Sequence, residues 1–251
     1  DRYRERITAG LRGGDLVVAP TQALLDELNK LYGPLPRRRA IWNGIAEGFS
    51  PARFKQPFVL AAGRWWDEAK NLSALADVGP RLSWPVRVAG LPHPDGSDDA
   101  PPPGIQFLGR LPRTALADQY ARAAIFAHPA RYEPFGLTPL EAARSGCALV
   151  LGDIATLREV WGDAVRYVPP DDRRALREAI QELIDDPGFR ARSARRALTR
   201  ARQLTAERMA GQYLRAYREL IGTTRRFAAS GRIITHHHSP ITTHQDLRCG
   251  S

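Results

Sequence analysis

Cysteine, lysine and methionine are all scarce in this 251-residue chain. The two cysteines, Cys147 and Cys249, are far apart in sequence, which excludes a disulfide-dense scaffold and fits a reducing compartment. No apolar run approaches the roughly 18 residues that a membrane-spanning helix requires. No secretory leader is visible at the start. No G-x-G-x-x-G turn and no phosphate-cradling loop ending in Gly-Lys-Ser/Thr occurs, which disfavours dehydrogenase and kinase chemistry. Residue 1 is aspartate and Met209 is the single methionine, so a processed or trimmed chain, or a piece of a longer one, is expected. These absences point to the cytoplasm, with the membrane periphery as a second possibility.

What is abundant is arginine. The formal net charge is +10, and lysine occurs only at 30, 55 and 70. Such a balance suits either a basic patch for nucleic acid or anionic lipid, or arginines spread over solvated helix faces. Between Asp171 and Asp186 acids interleave with the arginines, which favours the second reading. From Arg190 to Arg202 the stretch is purely basic and can touch an anionic surface. No aromatic ladder and no nucleic-acid motif accompanies it, so nucleic acid is not expected as a partner.

From 57 to 168, short apolar runs alternate with amphipathic segments. "FVLAAG" (58–63), "PVRVAG" (85–90), "IQFLG" (105–109), "AIFAHP" (124–129), "ALVLGD" (148–153) and "AVRYVP" (164–169) read as strands covered on both faces. "NLSALADVGPRL", "RTALADQYARA", "TPLEAARSG" and "TLREVW" read as helices between them. The alternation predicts an α/β fold with a doubly wound parallel sheet. From Asp171 onward the pattern is helical only, ending in a helix that carries Met209, Tyr213, Tyr217 and Leu220 on one face. Residues 92–104 read as a surface loop. Residues 1–50 supply one strand ("DLVVAP"), one helix ("TQALLDELNKLYG") and a loop, and 223–251 read as a disordered tail. The tail's His236, His237 and His238 are a flexible polar tract rather than a metal site.

The stretch "RYEPFGLTPLEAARSG" (131–146) holds two glutamates eight residues apart, Glu133 and Glu141. Thr138, Pro139, Leu140 and Glu141 fit N-cap, N1, N2 and N3 of a helix with a capping box. Glu133 to Leu137 then form the loop at the carboxyl end of a strand, the edge where open parallel sheets bind ligands. Gly136 allows close backbone approach, and the free amides of the first helical turn suit an anion. Arg64 ends another strand, and Lys70 is expected to open the following helix, where a lysine opposes the macrodipole and so needs a functional reason. A fork and a compact charge on one rim suit phosphate oxygens.

In order and spacing, Glu133 and Glu141 in "EPFGLTPLEA", the pair in "GRWWDEAKN", "FLGRLP" (107–112), "SGCALVLGDIATLREVWGDAVRYVPPDD" and "ERMAGQYLRAYREL" resemble family 4 of the retaining, group 1 glycosyltransferases over roughly residues 15–222. The resemblance implies the carboxy-terminal, Rossmann-like half of a GT-B fold with closing helices, the last one crossing the cleft to the other domain. It implies three regions: 1–50 as a remnant of the acceptor-side domain and crossover, 51–222 as the nucleotide-sugar-binding domain, and 223–251 as the tail. It implies a nucleotide-diphosphate sugar, UDP- or GDP-linked, as donor, with Arg64 and Lys70 on the diphosphate and Gly63 among the donor-binding residues. Leu111 would lie near the base, and Phe135, Gly136, Leu137 and Thr138 would give backbone contacts. Glu133 would sit near the reacting carbon, and Glu141 on the ribose, where it could not also complete a capping box. Glu133, Arg64 and Lys70 would carry catalysis with retention and without a metal or other cofactor. The acceptor site belongs to the largely missing amino-terminal part, so weak or absent transfer by this chain alone is expected. His93 and His128 are read as structural. Two other readings are a non-catalytic nucleotide-sugar-binding module and, with less support, an arginine-rich nucleic-acid binder.

Overall fold

The structure is a computed structural model that describes residues 2–91, 93 and 101–229, with side chains to residue 222. The chain divides into two compact units, Asp1–Tyr213 and Leu214–Ser251. The sheet and the candidate site lie in the first.

Eight strands and nine α-helices occur among the described residues. A first segment runs α1 (Arg2–Gly13), β1 (Val17–Ala19), α2 (Gln22–Tyr32) and β2 (Arg38–Ala40). The main layer follows: β3 (Gln56–Ala62), α3 (Ala74–Val78), β4 (Val86–Ala89), β5 (Ile105–Phe107), α4 (Arg113–Arg122), β6 (Ala123–His128), α5 (Leu137–Arg144), β7 (Ala148–Gly152), α6 (Ala155–Trp161) and β8 (Arg166–Val168). Then come α7 (Arg173–Asp185), α8 (Pro187–Ala201) and α9 (Ala206–Ala229).

All six expected strands form one parallel sheet in the order β5-β4-β3-β6-β7-β8. The chain starts at the centre, works out to one edge, and returns to build the other half. The reversal falls between β3 and β6, where helices leave to opposite faces and a crevice opens at the carboxyl ends. The strands read as continuous apolar runs because alternate residues serve two cores. Phe58, Leu60, Phe126, Leu149 and Leu151 face one layer, with Tyr120, Leu140 and Trp161. Val59, Ala61, Ile125, Ala127 and Val150 face the other, with Leu72, Leu75, Ile180 and Leu183. Every residue of β6 is buried, as the central strand of a doubly covered sheet must be.

At the crevice, the backbones leaving β3 and β4 nearly touch. A Cβ at Gly90 would lie 1.9 Å from the carbonyl oxygen of Gly63, and both glycines have positive φ, +141° and +149°. Only glycine tolerates that combination.

Several local expectations change. The expected long helix 71–82 is shorter: 71–73 are turns, α3 covers Ala74–Val78, and a 3₁₀ turn at Gly79–Arg81 completes it. The first fifty residues hold two strands and two helices rather than one of each. Strand β2 is "RRA", too basic to read as a strand, and it forms because β1 offers a parallel edge. Its small core is Val17, Ala19 and Leu25. This segment is tied to α6: the Glu159 carboxylate accepts from the amides of Gln22 and Ala23 at 2.9 and 2.8 Å, neutralising the amino end of α2. Trp42 Nε1 donates to the same carboxylate at 2.9 Å. Helix α9 continues to Ala229, seven residues into the segment expected to be disordered. The rest of that segment, with its histidines and Cys249, and nearly all of the 92–100 loop lie outside the described residues.

Candidate active site

Two loops make the site. The first leaves β3 and runs from Gly63 to Ser73; the second leaves β6 and runs from Pro129 to Gly136. They are laced together by backbone bonds. The amides of Arg131 and Tyr132 both donate to the carbonyl of Ala69, at 2.9 and 3.1 Å. Asn71, fully buried and held at φ +52°, donates from Nδ2 to the carbonyls of Pro129 (2.8 Å) and Pro170 (2.7 Å). Three loops thus share one amide side chain. From the other side Thr156 donates to the carbonyl of Glu133 at 2.6 Å, and Thr21 to that of Pro134 at 3.1 Å. Phe135 plugs the loop into the core, only 2% exposed.

Glu133 is the centre of this arrangement. Its Oε2 accepts from Lys70 Nζ at 2.8 Å and from His128 Nε2 at 3.1 Å. Its Oε1 accepts from the amides of Gly136 at 3.0 Å and, more weakly, Phe135 at 3.4 Å. Burial by itself pushes the carboxyl up; the hydrogen bonds and charges of His128 and Lys70 outweigh it and bring it down to about 2. Glu133 is therefore ionised throughout the physiological range. His128 is 1% exposed, and its other nitrogen, Nδ1, is buried without a hydrogen-bond partner among the described residues. Nε2 is the ring nitrogen that carries the proton shared with Glu133.

Arg64 stands on the same rim but is largely exposed. It pairs with Asp67, Nε to Oδ2 at 3.2 Å, and lies 5.2 Å from the ring centre of Trp66. Asp67 also accepts from the amide of Ala69 at 3.1 Å, so it organises the turn. The Arg64 hydrogen bond, set against a smaller opposing effect of burial, lowers the Asp67 carboxyl.

The capping box is not formed. Helix α5 begins at Leu137, its N-cap is Gly136 at φ +90°, and no side chain caps it. Thr138 lies in the first turn and Pro139 at its third position. A left-handed glycine turns the chain more sharply than a threonine cap would, which starts the helix two residues early. Pro139 lacks an N–H, and Leu140 donates back to Gly136 at 3.2 Å. The amides of Leu137 and Thr138 are then the unpaired donors of this turn among the described residues. Released from capping, Glu141 sits one turn in, facing α4. Burial raises its carboxyl, and the Tyr120 hydroxyl and the Arg113 charge act the other way. Leu111 is half-buried against the core on that same α4–α5 side.

Lys70 also differs from expectation. It lies in a turn rather than at a helix amino end, so Glu133, not a ligand, answers for its charge in the free protein. His128, read from sequence as structural, contacts the central carboxylate. The available signal was its place: last residue of a fully buried strand, five before Glu133. Gly63, Arg64, Lys70, Glu133 and the turn 135–138 share the rim of the switch point, whereas Glu141 and Leu111 stand further along α5 and before α4. Among the described residues, no group of three His, Cys, Asp or Glu side chains is placed to hold a metal ion, and no helix is long and apolar enough to cross a membrane.

The fold class is that of the GT-B glycosyltransferases: an α/β layer with a parallel sheet and ligand-facing loops at its carboxyl edge. A sucrose-phosphate synthase from Thermosynechococcus elongatus superposes with a TM-score of 0.78 at 24% identity, over 89% of this chain and 63% of that one. The pneumococcal O-GlcNAc transferase GtfA, solved with UDP and GlcNAc, superposes with a TM-score of 0.71 at 16% identity, over 88% of this chain and 48% of that one. In sequence, residues 101–200 match the family model "Glycosyl transferases group 1". It is 30% identical over 168 residues to O-antigen chain mannosyltransferase B of Escherichia coli, covering 67% of this chain and 39% of that protein. It is 30% identical over 210 residues to a glycogen synthase of Mycobacterium tuberculosis, covering 75% of this chain and 51% of that protein. The chain thus spans about half the length, or less, of these two relatives.

Proposed function

We propose that this chain is the donor-binding half of a retaining family 4 glycosyltransferase that takes a UDP- or GDP-linked sugar. The carrying observation is the meeting of Lys70 and Glu133, 63 residues apart, at 2.8 Å on the switch-point rim beside the unpaired amides that open α5. A diphosphate entering there would meet Lys70, Arg64 and the amides of Leu137 and Thr138. Lys70 exchanges its carboxylate partner for a phosphate oxygen, and Glu133 stays in place because His128 and two backbone amides still hold it. Charge that builds on the departing diphosphate is stabilised by preorganised donors without a metal. The ionised Glu133, near the sugar ring, favours an oxocarbenium-like transition state. Glu141, free of capping duty, would take the ribose, and Leu111 would lie near the base.

The named relatives include mannosyltransferases of O-antigen, lipopolysaccharide core and phosphatidyl-myo-inositol. Their names support a saccharide or lipid-linked acceptor. Transfer by the 251-residue chain alone is expected to be weak, since the donor side supplies every group named above. Sugar transfer restored by adding a complete amino-terminal domain would separate a transferase half from a pure binding module.

The test is a thermal-shift screen with UDP, GDP and their sugars, repeated with Arg64→Ala, Lys70→Ala and Glu133→Gln. A ligand present at 100 times its Kd stabilises the folded state by about 2.7 kcal/mol. No shift from any nucleotide at millimolar concentration would refute the donor-site reading.

A further inference from the structure

Helix α8 carries five arginines and no acid: Arg190, Arg192, Arg195, Arg196 and Arg200. The fold uses two of them. Arg190 donates to the carbonyls of Leu183 (2.6 Å) and Ile184 (3.1 Å) at the end of α7 and lies over Trp84. Arg200 donates to the carbonyl of Val160 at 2.6 Å and lies over Trp42, 4.9 Å from its ring centre.

The other three have no such employment. Arg192, Arg195 and Arg196 are exposed, and among the described residues no carboxylate lies within ion-pair distance of any of them. The Arg192 guanidinium lies 6.0 Å from the ring centre of Phe189. Their spacing makes matters worse for the helix. Arg192 faces Arg195 and Arg196, and Arg196 faces Arg200, so like charges line one face at three- and four-residue intervals. Helix α7 shows the contrast. There Arg173 pairs with Asp77 at 3.0 Å and Arg174 with Glu178 at 2.8 Å, while Glu182 takes Arg166 at 3.2 Å. The arginines of α7 are compensated and those of α8 are not.

The uncompensated face borders a shallow depression. Arg192, Arg195, Arg196, Thr199, Arg200 and Gln203 line an open groove of about 620 Å³, with Asp163 as the one acid on its wall. From Arg192 to Arg200 the row extends about 12 Å at 1.5 Å per residue. Among the described residues, no aromatic ring on which a base could stack lines the groove. Phe189, the helix's one aromatic, packs against the core. Among the described residues, none of the exposed large apolar side chains belongs to α8. Guanidinium forks match phosphate oxygens in pairs, and the chain's net charge of +10 adds a long-range attraction of the same sign.

We propose that the α8 groove is a docking surface for the phosphate head groups of an anionic bilayer, holding the protein at the membrane by charge alone. It stands apart from the sugar-nucleotide reading, since no residue of the rim takes part.

The experiment is co-sedimentation of the whole chain with vesicles of phosphatidylserine and phosphatidylcholine, against vesicles of phosphatidylcholine alone. Each basic residue close to an anionic surface strengthens partitioning about fivefold. The triple variant Arg192→Gln, Arg195→Gln, Arg196→Gln is expected to lose on the order of 100-fold in partitioning to the anionic vesicles. Binding by the unaltered chain should fade as salt rises, as screening requires. The control removes the same charge from arginines that already have partners: Arg122→Gln, Arg174→Gln and Arg177→Gln. Melting curves confirm that both triple variants fold. A larger loss in the α8 variant supports the groove. An equal loss in both variants overturns it in favour of diffuse charge, and no binding to anionic vesicles overturns it outright. Preferred binding to single-stranded nucleic acid at the same salt, abolished by the α8 substitutions, would reassign the groove.

Discussion

Replacing Glu133 by glutamine removes one negative charge and leaves the shape. At neutral pH it leaves Lys70 and His128 in a half-buried site with a neutral amide oxygen in place of the carboxylate they share. Removing one partner of a buried pair costs about 3–5 kcal/mol, and the same size follows from titration. A carboxyl held at about 2 against an ordinary 4.5 represents roughly 3 kcal/mol, at about 1.4 kcal/mol for each pH unit. The sign follows from the direction. The folded state lowers this group's pKa, so the unfolded chain binds the proton first as pH falls. The contribution is complete above about pH 5 and lost progressively between there and about pH 2. At pH 3 roughly 2 kcal/mol of it should be gone. Urea unfolding of the unaltered protein and of Glu133→Gln at pH 7 and pH 3 measures this, since titrations of groups away from the site cancel in the difference. The stability gap between the two proteins should be about 3 kcal/mol at pH 7 and shrink by about 2 kcal/mol at pH 3. His128→Asn should move the loss to higher pH, because one of the two groups holding the carboxylate ionised is removed. A gap that stays constant over this range would show that Glu133 is not held as an ion, and the geometry assigned to Lys70 and His128 would fail with it.

Lys70→Ala should weaken UDP or GDP binding by about 10- to 100-fold, the worth of one charge-assisted hydrogen bond, in isothermal titration. Arg64→Ala should cost less, because the more exposed guanidinium must also give up Asp67; a larger loss at Arg64 than at Lys70 would reverse the assigned order. Gly90→Ala should lower the melting temperature sharply, by a stability change of at least about 2 kcal/mol, since its Cβ would meet the Gly63 carbonyl at 1.9 Å; an unchanged melt would contradict the close crossing of the loops. Cys147 is fully buried, and burial, only partly offset by Lys55, pushes its thiol up to about 11. In a Cys249→Ser background its labelling by a thiol reagent at pH 8 should therefore proceed only as fast as the protein opens, and rapid labelling under native conditions would refute that.

What the sequence determined by itself was the layer and the rim. Six apolar runs read as strands because both their faces are covered, a property written in consecutive residues such as "FVLAA" and "AIFA". The order of strands and helices then placed Arg64, Lys70 and Glu133 at strand ends. Tertiary structure decided what those residues touch. Strand β2 was illegible because its residues are basic and its pairing depends on an edge twenty residues earlier. The start of α5 moved because Gly136 adopts a left-handed turn, which a threonine three residues before a glutamate does not reveal. His128 meets Glu133, and Lys70 meets it across 63 residues, only because the sheet puts β3 beside β6. Periodicity is local and survives in the chain; the distance between two loops depends on strand order, and that exists only once the sheet has formed.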